Sequence, residues 1–332
     1  MRPIVSYHFM FDFLAIGDTT TDAFIRLEDA SVDKNRGLLC MRFADKIPYE
    51  SVTVVPAVGN SANAAVAASR LGLSSALATN IGADDAGKET LAVLENERVD
   101  TRFVTVHADV RTNYHYVLWY HDERTILVKH EEYDYRLPNI DDPKWAYLSS
   151  LGGNSLPFHA EIEKFLYEHP DIKFAFQPGT YQMKFGKEKL AGIYRRADLF
   201  FCNKQEAQHI LETEETDIKK LLAMMREIGP KTPVITDGRA GAYAFNGADM
   251  WHIAMYPDPK PPVDRTGAGD AFSSTFTSAI ALGLGIEEAL RWGPINSMSV
   301  VQYVGAREGL LTREQTEEYL AKAPKDYFPT KI

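Results

Sequence analysis

The sequence predicts an α/β protein with a central, mostly parallel β-sheet flanked by helices and a small β-sheet lid. From about residue 145, short apolar runs alternate with helical patterns of about 10–15 residues, which indicates βαβ units. Two segments, 24–56 and 101–131, interrupt this alternation with strand-like stretches that have no helix between them. We therefore expect these segments to form one lid of antiparallel strands. The predicted core comprises 11–23, 57–100 and 132–325.

The element boundaries follow from periodic apolar runs that end at turn residues. Phe11–Ile16 ends at Gly17, and the Ala-rich stretch 60–71 ends at Gly72, as is typical of a helix C-terminus. The predicted lid strands include 103–107, 114–119 and 125–129. The later core elements are predicted as strand 145–151, helix 158–169, strand 172–177, helix 186–196, strand 198–202, helices 205–211 and 218–228, and strand 233–236. A helical pattern begins after Gly269, and further helices follow to about residue 323.

Composition excludes several classes of protein. The 332 residues are 45% hydrophobic and 25% charged, which fits a single large domain with an appendage. A net charge of -10 disfavours nucleic acid as a partner. Cys40 and Cys202 are the only cysteines, so a reducing cytoplasm is the expected location. Residues 1–16 lack a signal-peptide pattern, and no apolar run approaches the ~18 residues of a membrane span.

One short run of residues carries the clearest chemical signal. It reads Asp264-Arg265-Thr266-Gly267-Ala268-Gly269-Asp270 and leads directly into an amphipathic helical pattern. Small residues let backbone N–H groups approach a ligand, and a helix N-terminus attracts negative charge such as a phosphate. The helix dipole would keep Asp270 ionised, so that it could take a proton from an attacking hydroxyl. The alternative is that Asp270 only caps the helix.

This run resembles the C-terminal signature of the ribokinase/PfkB carbohydrate kinase family, whose core is Asp-Thr-x-Gly-Ala-Gly-Asp. Arg265 stands where the family usually has Thr or a small residue, and Thr275 stands where Ala or Gly is usual. Four other segments resemble family motifs in the same order along the chain. They are Gly17-Asp18-Thr19-Thr20-Thr21-Asp22, Val58-Gly59-Asn60-Ser61-Ala62-Asn63, Asn203-Lys204-Gln205-Glu206 and Thr236-Asp237-Gly238-Arg239-Ala240-Gly241.

The resemblance implies a ribokinase-like fold and an ATP-dependent kinase that phosphorylates a hydroxyl of a small sugar or sugar derivative. It implies Asp270 as the catalytic base and Gly267, Ala268 and Gly269 as the anion hole. The implied substrate-binding residues are Asp18, Asp22, Gly59, Asn60 and Asn63. The implied nucleotide-binding residues are Asn203, Thr236, Gly238, Gly241 and Asn296, with Asn203 and Glu206 at the metal. ATP and Mg²⁺ are the implied cofactors, and the resemblance permits a monovalent cation such as K⁺ and a homodimer formed through the lid.

Several alternatives stay open at this point. Asn203 and Glu206 are spaced as a capping box, and Gly238 and Gly241 could serve only a hairpin turn. A nucleoside kinase of the same fold is the second function, and a catalytically silent relative is the third, supported only by Val58 and Arg265. The lid residues Asn113, Tyr114, His115, Tyr116, Trp119, Tyr120 and Arg124 could contact a base or hydroxyls, or could only pack. The motifs of P-loop, zinc-hydrolase and serine-hydrolase enzymes are absent from the sequence.

Overall fold

The computed structural model of the chain describes residues 11–121, 123–140 and 142–332. Residues 1–10, which belong to the stretch 1–16 predicted to lack a signal peptide, lie outside the described residues. The first eight strands are β1 (Phe11–Ile16), β2 (Thr20–Leu27), β3 (Ser31–Asp33), β4 (Leu38–Cys40), β5 (Tyr49–Val58), β6 (Ser75–Gly82), β7 (Val99–Asp100) and β8 (Val104–His107). The others are β9 (Tyr114–Tyr120), β10 (Glu123–Leu127), β11 (Pro143–Leu148), β12 (Lys173–Phe176), β13 (Leu199–Asn203), β14 (Thr232–Thr236), β15 (Ala242–Phe245), β16 (Met250–Ile253) and β17 (Thr330–Lys331).

The helices complete the alternation that the sequence predicts. They are α1 (Asn60–Arg70), α2 (Asp85–Asn96), α3 (Leu156–Glu168), α4 (Thr180–Phe185), α5 (Ala191–Arg196), α6 (Lys204–Leu211), α7 (Ile218–Glu227), α8 (Ala268–Ala281), α9 (Ile286–Val300) and α10 (Arg313–Ala321). The prediction of one helix over 186–196 is wrong, because Gly186 has a φ of 85° and ends α4, so that only α5 follows within that range. None of the described helices is long and apolar enough to span a membrane.

A large, mostly parallel sheet forms the core, as predicted. Its strand order is β17-β16-β15-β14-β13-β12-β11-β1-β6-β7, with β8 paired to β6. The pairs from β14 across to β7 are parallel, and β14 to β17 pair antiparallel. Along β1, Phe13 packs into one apolar cluster and Leu14 into the other, so helices cover both faces of the sheet.

A second sheet of four strands, in the order β10-β9-β2-β5, forms the lid. Its outer pairs are antiparallel, whereas β2 and β9 pair in parallel, which the prediction of antiparallel strands missed. The prediction of a lid strand over 103–107 is wrong, because Val104–His107 pairs in parallel with β6 of the core sheet. The lid sheet also begins earlier than predicted, since Asp22 already pairs with Val55 and His115.

Candidate active site

Helix α8 begins where the sequence places its chemical signal. Gly267 is the N-cap residue with a φ of 79°, and a Cβ there would lie 2.2 Å from the Cβ of Ala306, so only glycine fits. Asp270 is the third residue of the helix and makes no capping hydrogen bond. The capping interpretation of Asp270 is therefore wrong, and its carboxylate is free for another role.

Two amide side chains hold the Asp270 carboxylate. The Nδ2 of Asn63 donates to Oδ2 at 2.9 Å, and the Nε2 of Gln177 donates to Oδ1 at 3.0 Å. Gln177 is itself oriented, because its Oε1 accepts from the hydroxyls of Tyr147 and Ser273. Sequence reasoning missed Gln177, although a polar residue directly after a buried strand at the carboxyl edge of a parallel sheet was a usable signal.

The environment of Asp270 changes its proton affinity. Burial raises the pKa of Asp270 to about 6, the hydrogen bonds from Asn63 and Gln177 act downward, and the negative charge of Glu206 acts upward. Desolvation is the largest of these causes, and it outweighs the two hydrogen bonds. A carboxylate with a pKa near 6 is ionised at neutral pH and is a better base than an ordinary aspartate.

An open cavity of about 200 Å³ lies beside the start of α8. Its lining includes Thr236, Arg239, Met255, Asp258, Pro262, Arg265, Phe272, Pro294, Ser297, Met298 and Val301, together with Gly238, Gly241, Ala268 and Gly269. A Cβ on Gly238 or Gly269 would meet no described atom within 4 Å, so the fold does not itself require glycine for space there. Gly238 has a φ of 51°, so its backbone conformation already favours glycine, whereas the bare position at Gly269 leaves room for a ligand against the backbone.

Asn296 does not belong to this cavity. It is fully buried, its Nδ2 donates to Thr275 at 2.6 Å, and its Oδ1 accepts from the N–H of Leu311 at 2.9 Å. Both ends of the amide form hydrogen bonds inside the protein, so the prediction that Asn296 contacts the nucleotide is wrong. Its neighbours Ser297 and Met298 line the cavity instead.

Asn203 and Glu206 form the capping box that their spacing allows. The Oδ1 of Asn203 accepts from the N–H of Glu206, and the Oε2 of Glu206 accepts from the N–H of Asn203, both at 2.8 Å. Burial is the main cause that raises the pKa of Glu206, and the bond from Asn203 opposes it. The Oε1 of Glu206 takes no part in the box.

The donor set near α8 fits Mg²⁺ bound mainly through phosphates and water. Among the described residues, no group of three or more His, Cys, Asp or Glu side chains could enclose a metal ion. Glu206 is one carboxylate, and its negative charge contributes to raising the pKa of Asp270. A hydrated Mg²⁺ needs only one or two carboxylates when a nucleotide supplies other oxygens, so Glu206 satisfies that requirement.

The predicted acceptor-binding residues lie at the root of the lid. Asp22 on β2 and His115 on β9 are side by side, with His115 Nδ1 3.4 Å from Asp22 Oδ1. Gly59 precedes α1 with a φ of 102°, and its carbonyl accepts from the N–H of Asn63 at 2.9 Å. Asn60 is the first residue of α1 and is only half-buried.

Asp18 already has protein partners. Its carboxylate accepts from the hydroxyl of Tyr135 at 2.9 and 3.0 Å and lies 3.2 Å from His130 Nδ1. Tyr135 and His130 are contributed by the segment after the lid, which sequence reasoning did not connect with Asp18. This arrangement buries a second carboxylate close to the acceptor-binding residues.

A lid arginine reaches the loop that precedes α8. Arg124 Nη2 lies 2.5 Å from Asp264 Oδ1, and its Nη1 donates to the hydroxyl of Thr266 at 2.9 Å. The Oδ2 of Asp264 accepts from the N–H of Gly305 at 2.9 Å. The tip of the lid is therefore joined to the loop that carries the anion-hole residues.

Comparisons with known proteins agree with this architecture. The model of the "pfkB family carbohydrate kinase" matches residues 42–313. Ribokinase from Bacillus subtilis is 30% identical over 294 residues, which cover 84% of this chain and 94% of that protein. The ATP-dependent 6-phosphofructokinase of Thermoanaerobacterium thermosaccharolyticum is 26% identical over 266 residues, which cover 75% of this chain and 80% of that protein.

The fold also matches that of solved structures in the ribokinase family. The crystal structure of Methanocaldococcus jannaschii nucleoside kinase, an archaeal member of the ribokinase family, superposes with a TM-score of 0.78 at 20% identity, covering 93% of this chain and 98% of that one. Fold and site together define a phosphotransferase with an alcohol group as acceptor, of the sugar or nucleoside kinase type. The chain belongs to the pfkB family of carbohydrate kinases.

Proposed function

We propose that the protein transfers the γ-phosphoryl group of ATP to a hydroxyl of a small sugar or sugar derivative, with Asp270 as the base. The observation that carries this proposal is the position of Asp270 in the first turn of α8. Its carboxylate is held by Asn63 and Gln177 and stands beside a cavity bordered by Gly269. One short segment thus combines a proton acceptor with backbone donors for a phosphate.

The chain's own groups divide the chemistry between them. Asp270 accepts the proton of the attacking hydroxyl, while the N–H groups of the first turn of α8, contributed by Gly267, Ala268 and Gly269, face the transferred phosphoryl group. Thr236, Gly238 and Gly241 contact the nucleotide from the opposite loop. Glu206, together with Asn203, would hold Mg²⁺ through water, and the ion would neutralise charge on the phosphates of the nucleotide.

The test of this function is acceptor-dependent release of ADP from Mg²⁺-ATP by the full chain. A panel of sugars, sugar acids, sugar phosphates and nucleosides is assayed at neutral pH beside the Asp270→Asn variant as the control. We expect at least one acceptor to stimulate ADP release in the native protein and to give almost none with the variant. Turnover that ignores the acceptor, or that survives in Asp270→Asn, would count against the proposal.

A nucleoside is the second candidate acceptor, because aromatic rings surround the acceptor end of the cleft. His130 meets Tyr181 edge-to-face with ring centroids 5.3 Å apart, and His115 lies 5.5 Å from His130. Such rings can stack on a base as well as on the apolar face of a sugar. A kcat/KM that is higher for a nucleoside than for its free sugar would select this alternative.

We also propose a homodimer through the outer face of the lid. The register aligns Val54, Ala23, Tyr116 and Leu127 across the four strands. Val54, Tyr116 and Leu127 are 46–50% exposed, which leaves an apolar row that a second copy of the same sheet would cover. Sedimentation at micromolar concentration should give a dimer, and Tyr116→Glu should give a monomer; a native monomer would refute the proposal.

The reducing cytoplasm remains our proposed location. Cys40 and Cys202 are free thiols, and burial raises the pKa of the Cys202 thiol, so it is unreactive. Activity that is unchanged by a reducing agent and falls after an oxidant joins chains through Cys40 would agree with this location.

A further inference from the structure

The backbone of β5 is irregular at the root of the lid. The register of β2 against β5 shifts between Thr20 and Asp22. At this shift Pro56 and Ala57 of β5 face Thr21 alone, which makes a β-bulge that bends the strand locally. Ala57 is fully buried and has a φ of 54°, a conformation that is strained for alanine. Such strain persists only where surrounding contacts hold the backbone in place.

One side chain from the loop after α9 holds this bulge. The Nη1 of Arg307 donates to the carbonyl of Pro56 at 2.5 Å and to the carbonyl of Ala57 at 3.4 Å. The first carbonyl belongs to the peptide group before Ala57 and the second to the peptide group after it. Hydrogen bonds from a charged donor are stronger than those between neutral groups. Arg307 therefore binds both peptide groups that flank the strained residue.

The residues next to Arg307 contact the segment that carries the anion hole. Ala306 packs so closely on Gly267 that a Cβ at Gly267 would lie 2.2 Å from the Cβ of Ala306. The N–H of Gly305 donates to Oδ2 of Asp264 at 2.9 Å. Three consecutive residues thus contact the root of the lid at one end and the start of the anion-hole segment at the other.

The same loop is anchored on the core by a second arginine. The Nη1 of Arg70 donates to the carbonyls of Arg307 and Leu310 at 3.3 and 2.6 Å. The Nε and Nη2 of Arg70 bind the two carboxylate oxygens of Glu97 at 2.9 and 2.6 Å. Burial lowers the pKa of Arg307, and the negative charge of Glu97 opposes this shift, so the guanidinium stays charged. The loop is therefore fixed to the core, and Arg307 reaches from it to the lid.

We propose that Arg307 is a positioning residue for phosphoryl transfer, which keeps the root of the lid and the anion hole in one relative position through Ala57 and Ala306. This inference rests on the proposed kinase function. The described lining of the nucleotide cavity does not include Arg307, so Arg307 acts through its neighbours. While the guanidinium binds the bulge, the lid leaves the core at one angle. Without it the bulge relaxes, and the lid and the anion-hole segment move independently.

Removal of the guanidinium should affect turnover more than nucleotide binding. In Arg307→Leu, kcat with an acceptor that stimulates ADP release should fall about 10–100-fold, because anion-hole donors act mainly in the transition state and depend on exact placement. Calorimetric affinity for a non-hydrolysable ATP analogue should change less than about twofold. Arg307→Lys keeps the charge and one donor, so its kcat should be intermediate. A native kcat in Arg307→Leu would overturn the inference.

A second substitution tests whether Arg307 acts through the bulge. Glycine adopts a φ of 54° without strain, so Ala57→Gly removes the need for a side chain that holds this conformation. In a double-mutant cycle, Ala57→Gly should restore kcat at least about threefold in the Arg307→Leu background. Losses of the two substitutions that simply add would show that Arg307 does not act through Ala57.

Hydrogen exchange tests the same link without turnover. In Arg307→Leu, amide exchange should rise about tenfold in both 49–58 and 264–270. Arg70→Leu is the matched control, because it loosens the same loop from the core side; it should lower the melting temperature as much and leave exchange in 49–58 nearly native. Faster exchange confined to residues 305–311, or equal in both variants, would show that Arg307 only stabilises the loop. If Arg307→Leu does not fold, Arg307→Lys is used in both measurements.

The two kinds of measurement separate this inference from the proposed function. If no acceptor stimulates ADP release, the kinase function is rejected, and the exchange measurement still decides whether the lid and the anion-hole segment are linked. If ADP release is native in Arg307→Leu, the kinase function stands and the inference is rejected.

Discussion

The nucleotide end and the acceptor end of the cleft present different kinds of chemical groups. At the nucleotide end, Gly238 and Gly269 leave open space beside the backbone, and an added Cβ there would touch no described atom within 4 Å. At the acceptor end, the side chains of Asp22, Asn63 and His115 present buried atoms that lack partners. Under the proposed function, the first end would recognise its ligand through backbone groups and open space, and the second through particular side-chain atoms.

This difference explains how one fold can keep its phosphate donor while its acceptors vary. A backbone cradle depends on a few small residues within one loop, so substitutions elsewhere leave it intact. A side-chain cradle depends on residues from several segments, and each can be replaced without disturbing the sheet that carries it. Substitutions at the two ends should consequently separate nucleotide binding, acceptor binding and chemistry.

The largest effect is expected at Asp270, where the two ends meet. Asp270→Asn removes the base but keeps a side chain that can bond to Asn63 or Gln177, so kcat should fall about 10²–10⁴-fold with ATP affinity nearly unchanged. The loss of the carboxylate removes a desolvation cost, and the melting temperature should not fall. Steady-state kinetics and nucleotide titration on one preparation measure both; near-native kcat would exclude Asp270 as the base.

Two glycines on either side of Ala268 should respond in opposite ways to the same added methyl group. Gly269→Ala meets no protein atom but enters the nucleotide cavity, so the KM for ATP should rise about tenfold while the melting temperature holds. Gly267→Ala has a φ of 79° and a 2.2 Å contact with Ala306, so it should lower the melting temperature. Identical responses would contradict the backbone cradle at this end.

Glu206 tests whether the capping box also serves the metal. Glu206→Gln keeps an oxygen for the N–H of Asn203 but removes the charge, so half-maximal activity should need roughly several-fold more Mg²⁺. The melting temperature should change little, since the box persists. Glu212→Gln, on the exposed end of the same helix, is the control. A lower melting temperature with unchanged Mg²⁺ dependence would assign Glu206 to capping alone.

The pH dependence of kcat/KM should report the Asp270 carboxyl. Its pKa of about 6 means that the base is ionised above that pH and protonated below it, so kcat/KM should be constant near pH 7–8 and fall tenfold per unit well below 6. Gln177→Leu removes a bond that favours the ionised form and should shift the profile upward, costing a few-fold at pH 6. An unshifted profile would show that Gln177 does not tune the base.

The smallest effect is expected from the monovalent cation. Asp264 is already paired with Arg124 at 2.5 Å and accepts backbone N–H bonds from Thr266 and Gly305. Replacing K⁺ by Na⁺ should therefore change kcat by less than about twofold, because a paired buried carboxylate needs no further cation. Arg124→Ala would leave Asp264 unpaired and should create a K⁺ dependence. Strong activation of the native protein by K⁺ would contradict this.

The difference between contiguous segments and side chains gathered from distant segments also determines what the sequence can predict. The core alternation was correct because parallel strands buried on both faces are continuous apolar runs, and the boundaries of β1 match the prediction. The segment 264–270 was recognisable because the backbone cradle lies within one contiguous run. The strand 103–107 was misplaced because its local pattern does not reveal that its partner is β6 of the core rather than a lid strand.

The acceptor end was only partly predictable. Asp22 and Asn63 belong to contiguous motifs. His115 lies beside Asp22 and Gln177 donates to Asp270, and each of them is 93 residues from its partner along the chain. The prediction that Asn296 contacts the nucleotide is wrong because both ends of its amide form hydrogen bonds inside the core, which the sequence cannot show. Satisfied and unsatisfied polar groups look alike until their partners are in place.

Strand β2 runs from the root of the lid to its far end. Asp22 stands two positions from the start of this strand and Arg26 six, which corresponds to about 7 Å and about 20 Å along it. Arg26 aligns through Trp119 with Arg124, so the arginine that meets Asp264 travels with the far end. A rotation of the lid about its root would displace Asp22 much less than Arg124, because displacement grows with distance from the axis of rotation. If the lid closes in this way, Asp22 stays in place for the acceptor, and the contact of Arg124 with Asp264 forms last.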